Sequence, residues 1–273
     1  MDEMRLEAEI AERALATYED VARMVDYPLL APAFSEAQVS EGCDLARRYC
    51  LGSITVRPSD AQLAVNWMES SGVTVASVAG FPHGNETTPT KLYAIRDLIG
   101  RGVGEIETCL NVGKMASRQF QYVEMELMQL AEECHKAQVK LRVTVESHWL
   151  AHDMKVIGYK ILKRAGVDSV RAAGVFGAAP YAMEDITFMA QKFGDRVALD
   201  AGRGAKSLDD VKALFQAGCV RLVLLQPAAV MDAWKAELAA GAAASSAAEE
   251  ARSLTVAALK TGAALKTGGI GQS

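Results

Sequence analysis

The sequence predicts an α/β fold, a (β/α)8 TIM barrel over residues 1–238, with an N-terminal helix and an Ala/Gly-rich flexible tail over 239–273. Short β-branched apolar runs alternate with longer amphipathic segments, which is typical of βα units around a parallel sheet. Eight such units favour a closed barrel over an open doubly wound sheet. The open sheet would also carry a glycine-rich phosphate-binding turn after its first strand, and none follows here.

The predicted elements follow one another along the chain in regular order. The strands are expected at Ala22–Asp26, Ser53–Arg57, Val73–Phe81, Gly104–Val112, Lys140–Glu146, Ser169–Ala173, Val197–Ala201 and Arg221–Leu225. The helices are expected at about residues 2–16 and at Ser35–Cys50, Pro89–Arg101, Ser117–Gln138 and Ser207–Gln216. Gly72, Gly102, Gly166 and Gly218 each precede a strand, where the glycine that ends a helix belongs.

The C-terminal tail has a composition of its own. Ala239–Ala251 is nearly all Ala, Ser, Gly and Glu, and Leu254–Gly269 repeats Ala-Leu-Lys-Thr-Gly. One interpretation is a frayed terminus. The other is a linker followed by a short amphipathic docking helix, which would give the chain a protein partner. In style, though not in motif, the tail resembles peptides that recruit enzymes into bacterial protein-shelled compartments.

Bulk composition excludes several classes of partner. The chain has 29 Lys and Arg against 34 Asp and Glu, a net charge of −5, so a nucleic-acid partner is not expected. It lacks an apolar stretch long enough for a membrane span and a signal-peptide core, which predicts a cytoplasmic protein. An odd number of cysteines suits reduced, buried thiols better than disulfides or a zinc site: Cys43, Cys50, Cys109, Cys134 and Cys219.

Five motifs carry a resemblance to a known family. They are Asp26–Pro32 (DYPLLAP), Val78–Asn85 (VAGFPHGN), Glu105–Gly113 (EIETCLNVG), Val143–Ser147 (VTVES) and Ala165–Asp168 (AGVD). In this order they resemble the strand signatures of the deoxyribose-phosphate aldolase family, from about residue 20 to 235. The resemblance implies a TIM barrel, aldol chemistry through a lysine imine with no cofactor, and dimerisation through helical faces.

The residues that perform that chemistry in the family are replaced. Arg171 stands where the resemblance puts the imine-forming lysine, and a guanidinium is not a usable amine nucleophile. Asp200 stands in place of a second lysine, which lowers the pKa of the first. Glu107 replaces a proton-handling aspartate, and Val223–Pro227 replaces a phosphate-binding loop of small residues. Standard aldolase activity is therefore not expected.

Two of these replacements belong together chemically. Exchanging a lysine pair for Arg171 and Asp200 turns repulsion into attraction between neighbouring strands. We therefore predict a hydrogen-bonded Arg171–Asp200 ion pair, which a separation above about 5 Å would exclude.

The strand ends supply the candidate site residues. Those expected to be catalytic are Asp26, Glu107, Glu146, Arg171 and Asp200; those expected to bind ligand are Arg57, His83, Arg203 and Lys206. Facing carboxylates suit acid–base chemistry, and the arginines suit an anionic ligand. Glu146 and His83 can instead be purely structural. Asp200, Glu107 and His83 have the donor types of a divalent-metal site, but without close spacing no metal is predicted.

Three functions remain open at this point. The first is an enzyme of altered mechanism acting on a small sugar- or aldehyde-type ligand at the barrel mouth. The second is a non-catalytic binding or scaffold subunit. The third is an aldolase with a relocated lysine, for which Lys114 and Lys206 follow strand ends. A homodimer is expected from the resemblance alone.

Overall fold

In a computed structural model, which describes residues 14–193 and 196–244, eight parallel strands close into a barrel in sequence order. The strands are β1 Val25–Leu29, β2 Ser53–Val56, β3 Thr74–Val78, β4 Glu105–Cys109, β5 Lys140–Thr144, β6 Ser169–Ala173, β7 Ala198–Arg203 and β8 Arg221–Val223. β1 pairs with both β2 and β8, which closes the ring and confirms the predicted barrel.

One helix precedes the first strand and the others connect consecutive strands. They are α1 Tyr18–Ala22, α2 Glu36–Arg48, α3 Ala61–Trp67, α4 Thr88–Gly100, α5 Val112–Ala116, α6 Phe120–Lys136, α7 His152–Ala165, α8 Met183–Phe193 and α9 Leu208–Gln216. A further helix covers residues 227–244, and a second compact unit begins within it at Asp232. The predicted docking segment 254–269 lies outside the described residues.

Two of the predicted boundaries that differ from the structure have a local explanation. The first strand was predicted at Ala22–Asp26, but β1 runs from Val25 to Leu29 and pairs through Pro28 with Thr55. β8 pairs only with Val25 and Asp26, so at Pro28 the strand has a paired neighbour on one side only, and proline is tolerated in such an edge position. Most of the predicted helix at 2–16 lies outside the described residues; residues 14–17 are not helical, and α1 follows them.

The structure confirms the glycines that were predicted to end helices before the strands. Gly166 ends α7 in the left-handed conformation at φ 74°, and Gly218 precedes β8 at φ 96°. Side chains with a β-carbon rarely adopt these angles, so a glycine there fixes where the helix stops and the strand begins.

Apolar side chains fill the space between the barrel and its helices, whereas polar side chains fill the barrel itself. Ile106, Val143 and Val170 are fully buried on the strands, and each is flanked by a buried charged or hydroxyl residue. Because successive side chains of a strand point to opposite faces, the alternation sends the charged residues to the inside. The barrel interior is therefore the first place to look for chemistry.

The described part of the chain contains neither a disulfide nor a membrane-spanning helix. All five cysteines are free thiols, and four are buried; Cys50, expected to be buried, is exposed because it lies in the turn after α2. No helix within 14–193 or 196–244 is long and apolar enough to cross a membrane.

A matched pair of glycines tests how tightly β6 and β7 pack. Gly202 has φ 77°, and a β-carbon on it would lie 1.8 Å from the carbonyl oxygen of Ala173. A β-carbon on Gly100 would meet nothing within 4 Å. We expect Gly202→Ala to lower the free energy of unfolding by about 2 kcal/mol or more, from strain and overpacking. Gly100→Ala should leave it unchanged or slightly raised. Urea unfolding of both variants measures the difference, and equal midpoints would contradict the close approach.

Candidate functional site

An ion network centred on Arg171 occupies the middle of the barrel. The Arg171 guanidinium donates to Asp200 at 2.8 and 2.9 Å, to Glu107 at 2.7 Å and to Asp26 at 2.5 Å. All four side chains have no exposed surface. The predicted Arg171–Asp200 pair is confirmed, and its cause is the register, which sets the two residues opposite each other on β6 and β7.

Sequence reasoning missed a second guanidinium in the same layer. Arg142 on β5 donates to Asp26 at 2.8 Å and to Asp200 at 3.2 Å, and it is also fully buried. A charged residue between Leu141 and Val143, two positions before Thr144, was the available signal, because alternation on a strand points it inward.

Neutral groups complete the coordination of the carboxylates. Asp26 accepts from the hydroxyls of Ser53 and Thr55 at 2.8 Å, and Glu107 accepts from Thr144 at 2.6 Å. Asp200 accepts from the backbone N–H of Gly202 at 2.8 Å. A buried charge is tolerated only when it is paired and hydrogen-bonded, and these donors satisfy that requirement for the carboxylates.

The network fixes the protonation of its members. Burial alone would raise the pKa of Asp26 and of Asp200, but Arg142 and Arg171 outweigh it and hold both values below the ordinary range. Burial would likewise lower the pKa of Arg171, yet Asp200, Glu107 and Asp26 keep it well above its usual value. Arg171 therefore stays a cation and offers no free electron pair.

These positions correct the predicted layout of the site. Asp26, Glu107, Arg171 and Asp200 come together as expected, but within the barrel, with no exposed surface, instead of on a rim at its mouth. The reason is that three carboxylates and a guanidinium satisfy one another when they are drawn inward, whereas each alone would need water.

Glu146 lies apart from the network, at the carboxyl end of β5. It adopts the left-handed conformation, at φ 48° and ψ 61°, and is 7% exposed. One carboxylate oxygen accepts from the N–H of Gly174 at 2.9 Å, and the other is buried without a hydrogen bond. A β-carbon on Gly174 or Gly177 would lie 2.3 Å from this carboxylate, so a side chain at either position would have to displace it.

The surroundings of Glu146 favour its protonated form. Burial raises its pKa, and the charge of Glu107 adds to the rise, while the Gly174 N–H, Arg203 and His83 oppose it. His148 lies with its Nδ1 3.5 Å from the unpaired carboxylate oxygen. A carboxyl group with a raised pKa is suited to both giving and taking protons.

The residues predicted to bind ligand are spread around the mouth and do not form one cluster. Arg57 pairs with Asp60 at 2.6 Å and lines a cavity of about 510 Å³ near Phe81, while His83 is exposed. Arg203 and Lys206 line a separate cavity of about 430 Å³, together with Gly204, Pro180 and Gln226. Arg203 donates to the carbonyl of Gly177 at 2.9 Å, which ties this cavity to the loop around Glu146.

The two lysines considered as substitutes for the imine-forming residue are not in the barrel interior. Lys114, on α5, lies 4.8 Å from the ring centre of Tyr122, and Lys206 is exposed. A fully buried lysine does exist, Lys91 on α4, but its amine pairs with Glu126 at 2.9 Å between α4 and α6. The amine is therefore engaged in a salt bridge between two helices.

The described residues hold no group of three His, Cys, Asp or Glu side chains arranged for a metal ion. In particular, Asp200 and Glu107 are both engaged by Arg171, whereas His83 is exposed. The set Asp200, Glu107 and His83, considered from ligand type, is therefore not assembled in the part of the chain described.

Comparison with known proteins places these features in a family context. The chain is 31% identical to a deoxyribose-phosphate aldolase from Bacteroides thetaiotaomicron over 217 residues, which cover 80% of this chain and 91% of the relative. A Caldanaerobacter subterraneus protein of the same name is 28% identical over 79% of this chain and 94% of its own. No protein-family model matches the chain.

Solved structures agree on the fold. A deoxyribose-phosphate aldolase-like chain from Coccidioides immitis superposes with a TM-score of 0.77 at 18% identity, covering 86% of this chain and 98% of that one. A tetrameric deoxyribose phosphate aldolase from Aeropyrum pernix gives 0.75 at 20% identity, covering 86% and 99%.

The network can be tested by removing its central cation. Arg171→Met leaves three buried carboxylates short of a partner, so we expect it to lower the free energy of unfolding by about 3–5 kcal/mol. Arg96→Met removes an exposed ion pair with Glu133 and should leave the unfolding midpoint unchanged. Denaturant unfolding at neutral pH measures both. A midpoint for Arg171→Met equal to that of the control would show that the network is not a structural element.

Proposed function

The chain belongs to the deoxyribose-phosphate aldolase family, and from this premise we propose that it acts on a small sugar- or aldehyde-type ligand at the barrel mouth without a lysine imine. Glu146 is the proposed acid–base group, and the cavity beside Arg203 is the proposed ligand site.

The observation that carries this proposal is the state of Arg171. It occupies the position where the family resemblance calls for a free amine, and it is fully buried with three carboxylate partners. Forming an imine requires a neutral amine that can reach the carbonyl carbon of the ligand. A permanently charged, enclosed guanidinium meets neither condition, so the reaction has to use other groups.

Glu146 is the group best suited to replace covalent catalysis. Its pKa is raised by burial, one of its carboxylate oxygens has no hydrogen bond, and it lies next to the loop that Arg203 holds. Proton transfer at a carbon next to a carbonyl is common to isomerisation, hydration and retro-aldol cleavage without a covalent intermediate. One carboxyl that alternates between acid and base is sufficient for such a step.

The charges around the cavity beside Arg203 indicate the class of ligand. Arg203 and Lys206 line it, and one guanidinium nitrogen of Arg203, Nε, is buried without a partner. Cations of this kind favour a ligand with a carboxylate or phosphate group. Leu224, Leu225 and Gln226, which belong to the segment predicted to replace the family's phosphate-binding loop, form part of the remaining wall.

A second candidate function has support from the same network. Because Asp26, Glu107, Arg171 and Asp200 have no exposed surface, none of the four can touch a ligand in this conformation. This favours a non-catalytic binding or scaffold subunit, in which Glu146 only holds the loop at Gly174. The homodimer and the recruitment of the chain through its tail remain predictions.

Borohydride trapping separates imine chemistry from both proposals. With acetaldehyde or deoxyribose phosphate and borohydride, a lysine imine would be reduced to a stable adduct visible by intact-mass measurement. We expect no added mass at neutral pH. An adduct that disappears in Lys206→Gln and persists in the matched Lys136→Gln would establish a relocated lysine and overturn the proposal.

Proton exchange in D₂O tests Glu146 without knowledge of the full reaction. We expect the protein to exchange the proton next to the carbonyl of a phosphorylated aldose or ketose, followed by proton NMR. Glu146→Gln should slow this exchange about a hundredfold or more, and the exposed Glu132→Gln should not. The rate should rise with pH through the raised pKa of Glu146, because the ionised form is the base.

If wild-type protein catalyses no exchange although a ligand raises its melting temperature, the binding-subunit proposal replaces the enzymatic one.

A further inference from the structure

The amino-terminal end of the barrel contains an open polar cavity of about 290 Å³. Lys140, Ser169 and Ala198 line it from the first residues of β5, β6 and β7. Each lies two positions before an inward-facing residue of its own strand, namely Arg142, Arg171 and Asp200. Residues two apart on a strand point to the same face, so the cavity lies inside the ring of strands. Barrel layers are normally filled by bulky branched side chains, and here serine and alanine leave space.

The cavity has a cationic lining. Arg23, Lys140 and Arg221 contribute three positive charges against the carboxylates of Glu105 and Asp168. Asp168 is already used by the N–H of Leu141, at 2.7 Å, and by His135, at 2.9 Å. Lys140 forms no ion pair within the described ranges, and its side chain is exposed. The cations therefore exceed the carboxylates that can neutralise them.

Unpaired donors face the same region. The Ser169 hydroxyl is buried, in a residue only 7% exposed, and has no hydrogen-bond partner among the described residues. Arg142, its register partner on β5, has Nη2 buried without a hydrogen bond, while its Nε lies 3.1 Å from the Glu105 carboxylate. Arg221 gives only its Nη1 to Glu105, at 2.5 and 2.7 Å. Buried donors of this kind normally have an acceptor, and each protein carboxylate nearby is already engaged.

We propose that this cavity is a binding site for a small oxyanion of the phosphate or carboxylate class. Lys140 and Arg221 supply the charge, and the Ser169 hydroxyl supplies a directed hydrogen bond. The cavity volume is about ten times the share of one water in the liquid, enough for an oxyanion and part of its hydration shell. The site lies at the opposite end of the barrel from Glu146 and Arg203, so it does not depend on the proposed function.

Binding at this site also stabilises the central ion network, through Arg221. Arg221 pairs with Glu105, whose carboxylate lies 3.1 Å from Nε of Arg142, and Arg142 in turn holds Asp26 and Asp200. An oxyanion that engages Arg221 stabilises the first member of this chain of ion pairs. Because the ligand binds only the folded barrel, it raises the melting temperature.

Titration calorimetry with inorganic phosphate in a low-salt, phosphate-free buffer tests the site. Lys140→Gln removes an exposed charge and Ser169→Ala removes the buried hydroxyl; each should weaken binding about tenfold, the ratio that corresponds to 1.4 kcal/mol. Lys136→Gln on α6 is the matched control that should keep the wild-type affinity, and Lys206→Gln reports any phosphate bound in the cavity at the mouth. Ser169→Ala should remain folded, which its circular dichroism spectrum checks.

The results distinguish the two ends of the barrel. Weakened binding in Lys140→Gln and Ser169→Ala, with Lys136→Gln unchanged, supports the site. Binding that is lost in Lys206→Gln but kept in Lys140→Gln assigns phosphate to the mouth and overturns it. Absence of binding heat and of any melting shift at millimolar phosphate in the wild-type protein also overturns it.

Discussion

The buried guanidinium of Arg171 is the constraint on which the rest of the barrel depends. Three carboxylates from β1, β4 and β7 converge on it, and Arg142 shares two of them. Removing any one partner would leave a charge in a medium that solvates it poorly, so the residues are coupled. The network thus joins strands that are not neighbours, in addition to the hydrogen bonds between adjacent strands.

The proposed function follows from this arrangement. The paired charges fix the positions of β1, β4, β5, β6 and β7, and Arg171 is held in them as a cation. Our proposal therefore places the chemistry at the strand ends. There Glu146 has a carboxylate oxygen without a hydrogen bond and a raised pKa, and Gly174 and Gly177 lie close against its carboxylate.

The two ends of the barrel differ in how the charge is satisfied. At the mouth, Arg203 and Lys206 surround a cavity that includes apolar walls. At the amino-terminal end, Lys140 and Arg221 surround a smaller polar cavity with an unpaired serine hydroxyl. The same barrel therefore has cationic side chains around two separate cavities, and the ion network lies between them.

The sequence by itself determined the barrel, its family and the Arg171–Asp200 pair. Alternating apolar patterns and helix-ending glycines are local signals, and residues at matching positions of consecutive strands are neighbours in any parallel barrel. Only the tertiary structure decided that Arg142 joins Asp26, that Asp26 and Glu107 turn inward, and that Arg57 and His83 stay apart from them. Those outcomes depend on closure, which brings residues more than a hundred positions apart within hydrogen-bond distance and lets charges replace water as partners.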